Sequence, residues 1–300
     1  EMLHRAYTQL RMGPPRPVLL EMPADVLDRE VEESRLHYAP VAKRRSAGDP
    51  RDVASVARKL LQAQRPVIYA GQGVLYAEAT PQLVELAELL NAPVATTTLG
   101  KSGFPEDHPL SLGTGGNTCT KAVGVFLRKA DVVFGIGTSF QKTLASAPVP
   151  AGKVVIQSTV DETALNGEYP LDDIIIGDAQ LVLQQLIDEV KSQAGENGRA
   201  GGDAVTAEIR AVKEEWLAEW MPRLTSDEVP ISPYRVVREL DRGLDKANSI
   251  VTHDAGNPRD QIVPFYTATT PRGYLGWGNS TQLGTGLGLI MGAKMAAPEK

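Results

Sequence analysis

Arg65-Pro-Val-Ile-Tyr-Ala-Gly-Gln-Gly73 decides how this chain is read. A short apolar run closed by proline on one side and glycine on the other is a strand buried on both faces. Helical patterns flank it. Asp49-Pro50 supplies a polar N-cap and a proline at the first helical position for a helix running to Gln64. Thr80-Pro81 repeats that signal before Leu83, Leu86 and Leu90, which fall on one helical face. Pro93–Thr97 is the next strand, Lys121–Lys129 a helix, and Val132–Ile136, Val154–Gln157 and Ile174–Ile176 three more strands. Asp178 caps a helix that carries Leu181, Leu183, Leu186, Ile187 and Val190. Short apolar strands alternating with amphipathic helices predict an α/β fold whose sheet is mostly parallel and covered on both sides. The fold class is therefore α/β, with a doubly wound, Rossmann-like central domain at 45–192, flanked by parts of two further α/β domains.

Further from that centre the pattern changes. Residues 1–12 read as a helix, and Val18-Leu-Leu-Glu-Met22 as a buried strand stopped by Pro23. Residues 24–48 are charged and irregular. Gln193–Asp203, rich in glycine, is a flexible linker by composition. A helix with Trp216 and Trp220 follows, then one capped by Ser232-Pro233, then a strand at Ile250–Thr252 and a glycine-rich end. The divisions are 1–30, 45–192, a linker at 193–229, and 230–300. Both ends look like truncations of a longer protein.

Composition excludes several classes. The chain has 300 residues, a net charge of −6 and no dense Lys/Arg stripe, which argues against nucleic acid or an anionic membrane as partner. Its apolar runs fall short of the roughly 20 residues that span a bilayer. The single cysteine, Cys119, cannot form an internal disulfide, which fits a reducing cytoplasm.

Candidate sites lie at strand ends. Gly71-Gln-Gly-Val-Leu-Tyr76 sits where dinucleotide fingerprints occur, but Tyr76 replaces the third glycine and no acid closes the next strand, so a tight turn is the simpler reading. Gly135-Ile-Gly-Thr-Ser-Phe140 ends another strand and could face a nucleotide or a neighbouring domain. Cys119 reads as a small semi-buried residue and His108 as turn chemistry. The four histidines lack metal-ligand spacing, so no metal ligand is named. In Ser249-Ile-Val-Thr-His-Asp-Ala-Gly-Asn257, His253 ends a strand just before glycine, either as a satisfied strand-end histidine or as part of a site. The stretch Gly276-Trp-Gly-Asn-Ser-Thr-Gln-Leu-Gly-Thr-Gly-Leu-Gly288 then runs into a helix whose start offers unpaired N–H groups.

Arg65–Gly73, then Leu86-Ala-Glu-Leu-Leu-Asn-Ala-Pro-Val-Ala-Thr-Thr97, then Gly100-Lys-Ser-Gly-Phe-Pro-Glu-Asp-His-Pro-Leu-Ser-Leu-Gly113, resemble the central domain of thiamine-diphosphate-dependent enzymes of the acetolactate synthase type. Residues 11–26 resemble the end of that family's pyrimidine-binding domain, and 230–300 the start of its diphosphate-binding domain. The resemblance implies carbon–carbon chemistry on 2-oxo acids, as in a carboligase that decarboxylates pyruvate and transfers the acyl unit, with a related decarboxylase as the neighbouring reading. The organic chemistry is the cofactor's, and the protein orients and tunes it. The resemblance places an apolar wedge under the bent cofactor at Leu283, a carbonyl that accepts from its amine at Thr281, and Gly256 and Asn257 beside the diphosphate, close to His253. It implies thiamine diphosphate with Mg2+, and a homodimer or homotetramer. It places the catalytic glutamate and the magnesium ligands outside this chain, so the fragment is expected to be inactive alone.

Departures bear on the details. Asn257-Pro258 stands where acetolactate synthases carry Gln-His, and Ser139 stands where they carry an arginine that touches flavin, which counts against FAD. The other functional class is a non-catalytic nucleotide-binding module whose central domain holds FAD. The missing third glycine favours a central domain that spaces the two cofactor domains.

Overall fold

The computed structural model describes residues 2–14, 16–35, 37, 39, 42, 44–116, 119–143, 146–276 and 282–300. It divides into two units, Glu1–Ser46 and Ala47–Lys300. The first holds α1 (Met2–Arg11) and the one-turn α2 (Ala24–Leu27). Val18–Met22 is not a strand, and Leu19 stands 95% exposed. Apolar residues alone do not make a strand, because its backbone groups need a neighbouring strand to pair with.

The second unit opens with the expected alternation. In chain order it runs α3 (Pro50–Gln62), β1 (Pro66–Ala70), α4 (Gln72–Tyr76), α5 (Thr80–Leu90), β2 (Val94–Thr96) and β3 (Ser111–Thr114). It continues with α6 (Lys121–Lys129), β4 (Val132–Ile136), β5 (Val154–Thr159), β6 (Asp173–Ile176) and α7 (Ala179–Ala194). The six strands are all parallel in the order β3-β2-β1-β4-β5-β6, with Ile68 paired to Val94 on one side and Phe134 on the other. Every residue of β1 is buried, as a central strand covered on both faces must be. α3 turns Val53, Val56, Ala57 and Leu60 inward, at the i, i+3, i+4, i+7 spacing of a helical stripe. α7 answers with Val182, Leu183, Leu186, Ile187 and Val190, and packs on α3 and α5.

Asp49 caps α3 through the Arg51 N–H, and Asp178 caps α7 through the N–H groups of Gln180 and Leu181. Thr80 does not cap. It is the first residue of α5, and its hydroxyl donates to the Gly103 carbonyl at 3.0 Å, tying the helix to the loop beyond β2. β3 has no strand signature in the sequence, because Ser-Leu-Gly-Thr is half polar. Its Thr114 hydroxyl instead finds the Thr96 hydroxyl on β2 at 3.0 Å.

Beyond α7 the chain forms α8 (Gly202–Leu224), α9 (Pro233–Gly243), β7 (Val251–Thr252), α10 (Asn257–Phe265), β8 (Tyr274–Leu275) and α11 (Thr285–Ala296). The glycine-rich stretch before α8, expected to be flexible, is held in place. The Arg199 N–H donates to the Leu89 carbonyl at 2.8 Å, the Arg199 carbonyl accepts from the Asn91 amide, and Gly198 lies so close that a Cβ would come within 2.1 Å of the Leu89 oxygen. The last turn of α5 needs donors for its free carbonyls, and this stretch supplies one. α8 lies on α6, where Lys121 reaches Glu215 and Glu219 and Glu208 receives Arg65 and Lys129. β7 and β8 are parallel, and α9 and α10 bury Val237, Ile262, Val263 and Tyr266 with Tyr274 in a second, smaller core.

Candidate functional site

The order β3-β2-β1-β4 reverses direction between β1 and β4, the place where doubly wound sheets hold nucleotides. Here that crevice is filled by backbone. The Gly71 N–H donates to Ile136 O and the Gly73 N–H to Gly137 O, both at 2.9 Å. A Cβ on Gly71 would lie 2.3 Å from the Gly137 oxygen, and one on Gly73 would lie 2.6 Å from the Gly137 Cα. The glycines therefore serve close packing of two turns. The N–H groups that would cradle a phosphate are already committed, so the residues here do not fit a dinucleotide. The Gly135–Phe140 turn folds back on its own strand. Its Phe140 ring lies over Gly135, whose Cβ would fall 2.2 Å from that ring.

The other glycine-rich elements converge at the end of β7. His253, 5% exposed, sets Nδ1 2.9 Å from the Asp254 carbonyl, a group that can only accept. Burial holds the His253 pKa below 6.5, against the pull of that carbonyl, so the ring is neutral with its proton on Nδ1. Nε2 is then a bare acceptor, buried and without a partner among the described residues. The Asp254 carboxylate accepts from the N–H of Ala255 at 2.6 Å and from the N–H of Gly284 at 3.0 Å with each oxygen. Gly286 seats the first turn of α11 on the strand end, where a Cβ would lie 3.0 Å from the His253 carbonyl carbon.

Gly256 has φ 75 and ψ −140, a conformation nearly confined to glycine, and it starts α10. Asn257 is the first residue of that helix, exposed, with Pro258 next. Leu283 is 88% exposed and adjoins Gly284, whose φ of 85 breaks the chain into α11. The structure thus brings His253, Gly256, Asn257 and Leu283 to one end of the small sheet. Thr281 lies outside the described residues. Cys119 is half-buried against the main core. His108 closes its turn by accepting from the Leu110 N–H at 3.2 Å. Among the described residues no cluster of His, Cys, Asp or Glu could hold a metal ion, and no helix is long and apolar enough to cross a membrane.

Sequence reading assigned no role to Lys101 and Glu106. Lys101 is 1% exposed and paired with the Glu106 carboxylate. Glu106 also accepts from the Thr114 hydroxyl at 2.9 Å and the Ala268 N–H at 2.8 Å, while the Ser102 hydroxyl donates to the Tyr274 carbonyl. These bonds seat the β7–β8 region on the central domain. A lysine among glycines in Gly100-Lys-Ser-Gly103 looks like a surface turn, and only burial reveals the pair.

The doubly wound domain with its closed crevice, followed by the opening of a second parallel sheet, defines the class. Residues 53–186 match the family "Thiamine pyrophosphate enzyme, central domain". Among relatives, the chain is 30% identical to the probable acetolactate synthase large subunit of Methanocaldococcus jannaschii, over 99% of this chain and 51% of that protein. It is 28% identical to the acetolactate synthase isozyme 3 large subunit of Escherichia coli K12, covering 100% and 52%. It is also 28% identical to the glyoxylate carboligase of Escherichia coli O157:H7, covering 99% and 50%. The chain thus spans about half the length of the curated relatives it matches. A solved structure from Mycobacterium smegmatis, described as a thiamin diphosphate-dependent enzyme, shares the fold with a TM-score of 0.71 at 23% identity, over 100% of this chain and 55% of that one.

Proposed function

We propose that this chain carries one half of a thiamine diphosphate site in a carboligase that acts on 2-oxo acids, of the acetolactate synthase type. One observation carries the reading. The Asp254 carboxylate clasps the Gly284 N–H, which ties the segment carrying the exposed Leu283 to the end of β7, two residues before Gly256. A bent cofactor needs this combination: an apolar prop, an open glycine turn for the diphosphate, and a helix start whose partial positive charge favours phosphate. A Cβ on Gly256 would meet nothing within 4 Å, so the turn leaves room for such a group. The buried, bare Nε2 of His253 is a further acceptor that a bound donor would satisfy.

When bound, the thiazolium supplies the electron sink for decarboxylation and acyl transfer. The residues of this chain would bind and orient the cofactor: Leu283 would hold the bend, Gly256 and Asn257 would meet the diphosphate, and Thr281, outside the described residues, would accept from the amine through its carbonyl. Mg2+ would complete the proposed set, held mainly by oxygen ligands. We assign no flavin, since the switch-point N–H groups are already bonded. The proposed assembly is a homodimer or homotetramer in the cytoplasm. The divisions at 1–30, 45–192 and 230–300 correspond in this reading to the pyrimidine, central and diphosphate domains. The test is calorimetric titration of thiamine diphosphate with Mg2+ into the full-length protein. Saturable binding is expected, and its absence overturns the reading.

A further inference from the structure

A cavity of about 300 Å3 opens between α8, α9 and the end of α10, with Gly113 and Thr120 of the central domain on its wall. That volume sits at the lower end of the range typical of small-molecule sites, roughly 300–1,000 Å3. Its charges are unevenly committed. Of its two acids, Glu106 is taken by Lys101, Thr114 and Ala268, and Asp241 by the Lys246 ammonium and the Thr267 N–H, both at 2.7 Å. Its three cations, Lys213, Arg238 and Arg242, make no ion pair among the described residues; Glu106 and Asp107 act on Lys213 from further away, and Arg238 hydrogen-bonds to the Met221 sulfur at 3.1 Å. The final carbonyls of α10 add about half a negative charge, which leaves the balance positive. Trp216, Leu217 and Phe265 give the same cavity an apolar wall, with the Trp216 and Phe265 rings stacked 5.1 Å apart.

We propose that this cavity binds a small organic anion, a carboxylate or phosphate head on an apolar body. The head meets Lys213, Arg238 and Arg242, and the body lies along Trp216 and Leu217. Lys213 and Arg238 are half-buried, and partly buried cations without a close counter-charge are costly unless an anion joins them, while Arg242 is exposed at the rim. Burial lowers the Lys213 pKa, with Glu106 only partly offsetting it, and an arriving anion favours the charged amine. The site is separate from the β7 end and stands whether or not thiamine diphosphate binds there. α10 links the two places, since it starts at Asn257 and ends at the cavity.

The experiment titrates sodium benzoate, phenyl phosphate and benzylamine into the full chain by calorimetry, with thermal melting in parallel. Benzoate or phenyl phosphate is expected to saturate one site and raise the melting temperature, and the stronger of the two identifies the head group. Benzylamine, with the same body and opposite charge, is expected not to bind. The double variant Lys213→Gln/Arg238→Gln is expected to melt like the parent and to bind at least about tenfold more weakly, the weight of one lost charge-assisted hydrogen bond. No saturable binding of either anion, equal binding by the double variant, or binding of benzylamine as tight as benzoate each overturns the proposal.

Discussion

The Glu106 N–H donates to the Ala268 carbonyl at 2.9 Å, and the Ala268 N–H returns a 2.8 Å bond to the Glu106 carboxylate. One residue thus joins the six-stranded sheet to the second core through both its backbone and its side chain. The same carboxylate is the only ion-pair partner of Lys101 among the described residues, and Lys101 is 1% exposed. Glu106→Gln therefore leaves a buried ammonium uncompensated, and a loss of about 3–5 kcal/mol is expected. Lys101→Met/Glu106→Gln removes the stranded charge and should recover part of that loss. Urea unfolding of the three proteins measures both values, and a double variant no more stable than Glu106→Gln would show that the charge is not the cause.

The contact between Gly73 and Gly137 yields a sharper comparison. Gly137 has φ 61, and a Cβ there would lie 2.8 Å from the Gly73 Cα. Gly152 has φ 77 with nothing within 4 Å. Gly152→Ala should show only the left-handed backbone cost, about 1–2 kcal/mol. Gly137→Ala adds a backbone collision on top, by about 1–3 kcal/mol more. In thermal melts, at about 2–4 °C per kcal/mol for a domain of this size, Gly137→Ala is expected to melt clearly lower. Equal melting temperatures would mean the two turns can part without loss.

The alternation from α3 to α7 was legible because periodicity and caps act locally. Asp49 and Asp178 cap as their positions predict. What escaped reading depends on distant partners. Val18–Met22 has the composition of a strand but forms no ladder. Ser111–Thr114 lacks that composition and is a strand because β2 offers its edge and Thr96 a hydroxyl. Gln193–Asp203 has linker composition, yet the end of α5 holds it through Leu89. Of the candidate site, the glycine turns were visible in sequence. The clasp between Asp254 and Gly284 spans thirty positions and the pair of Lys101 with Glu106 is defined by burial, so neither has a local signature.

Leu283 separates a binding role from a structural one. At 88% exposure it contributes little to the fold, and Leu283→Ala should change stability by less than about 0.5 kcal/mol. If it props the cofactor, the same substitution weakens thiamine diphosphate binding to the full-length protein by about tenfold or more, the equivalent of at least 1.4 kcal/mol of lost apolar contact. Unfolding and calorimetry on one variant read the two quantities independently. Unchanged affinity would remove Leu283 from the site.

His253 sets the response to acid. Its folded pKa lies below 6.5 because burial disfavours the charged ring, with the Asp254 carbonyl pulling weakly the other way. Above the unfolded pKa both states are neutral and the group has no effect. As pH falls through about 6.5, the unfolded chain takes up a proton that the folded chain refuses, so folding weakens by up to about 1.4 kcal/mol per pH unit until the folded pKa is reached. Urea unfolding at pH 7.5 and 5.5 should show this loss in the parent protein. His253→Gln keeps a polar side chain that cannot titrate, and the loss between the two pH values should shrink by that amount, whatever the variant's stability at pH 7.5. An unchanged difference would place the acid response on other groups.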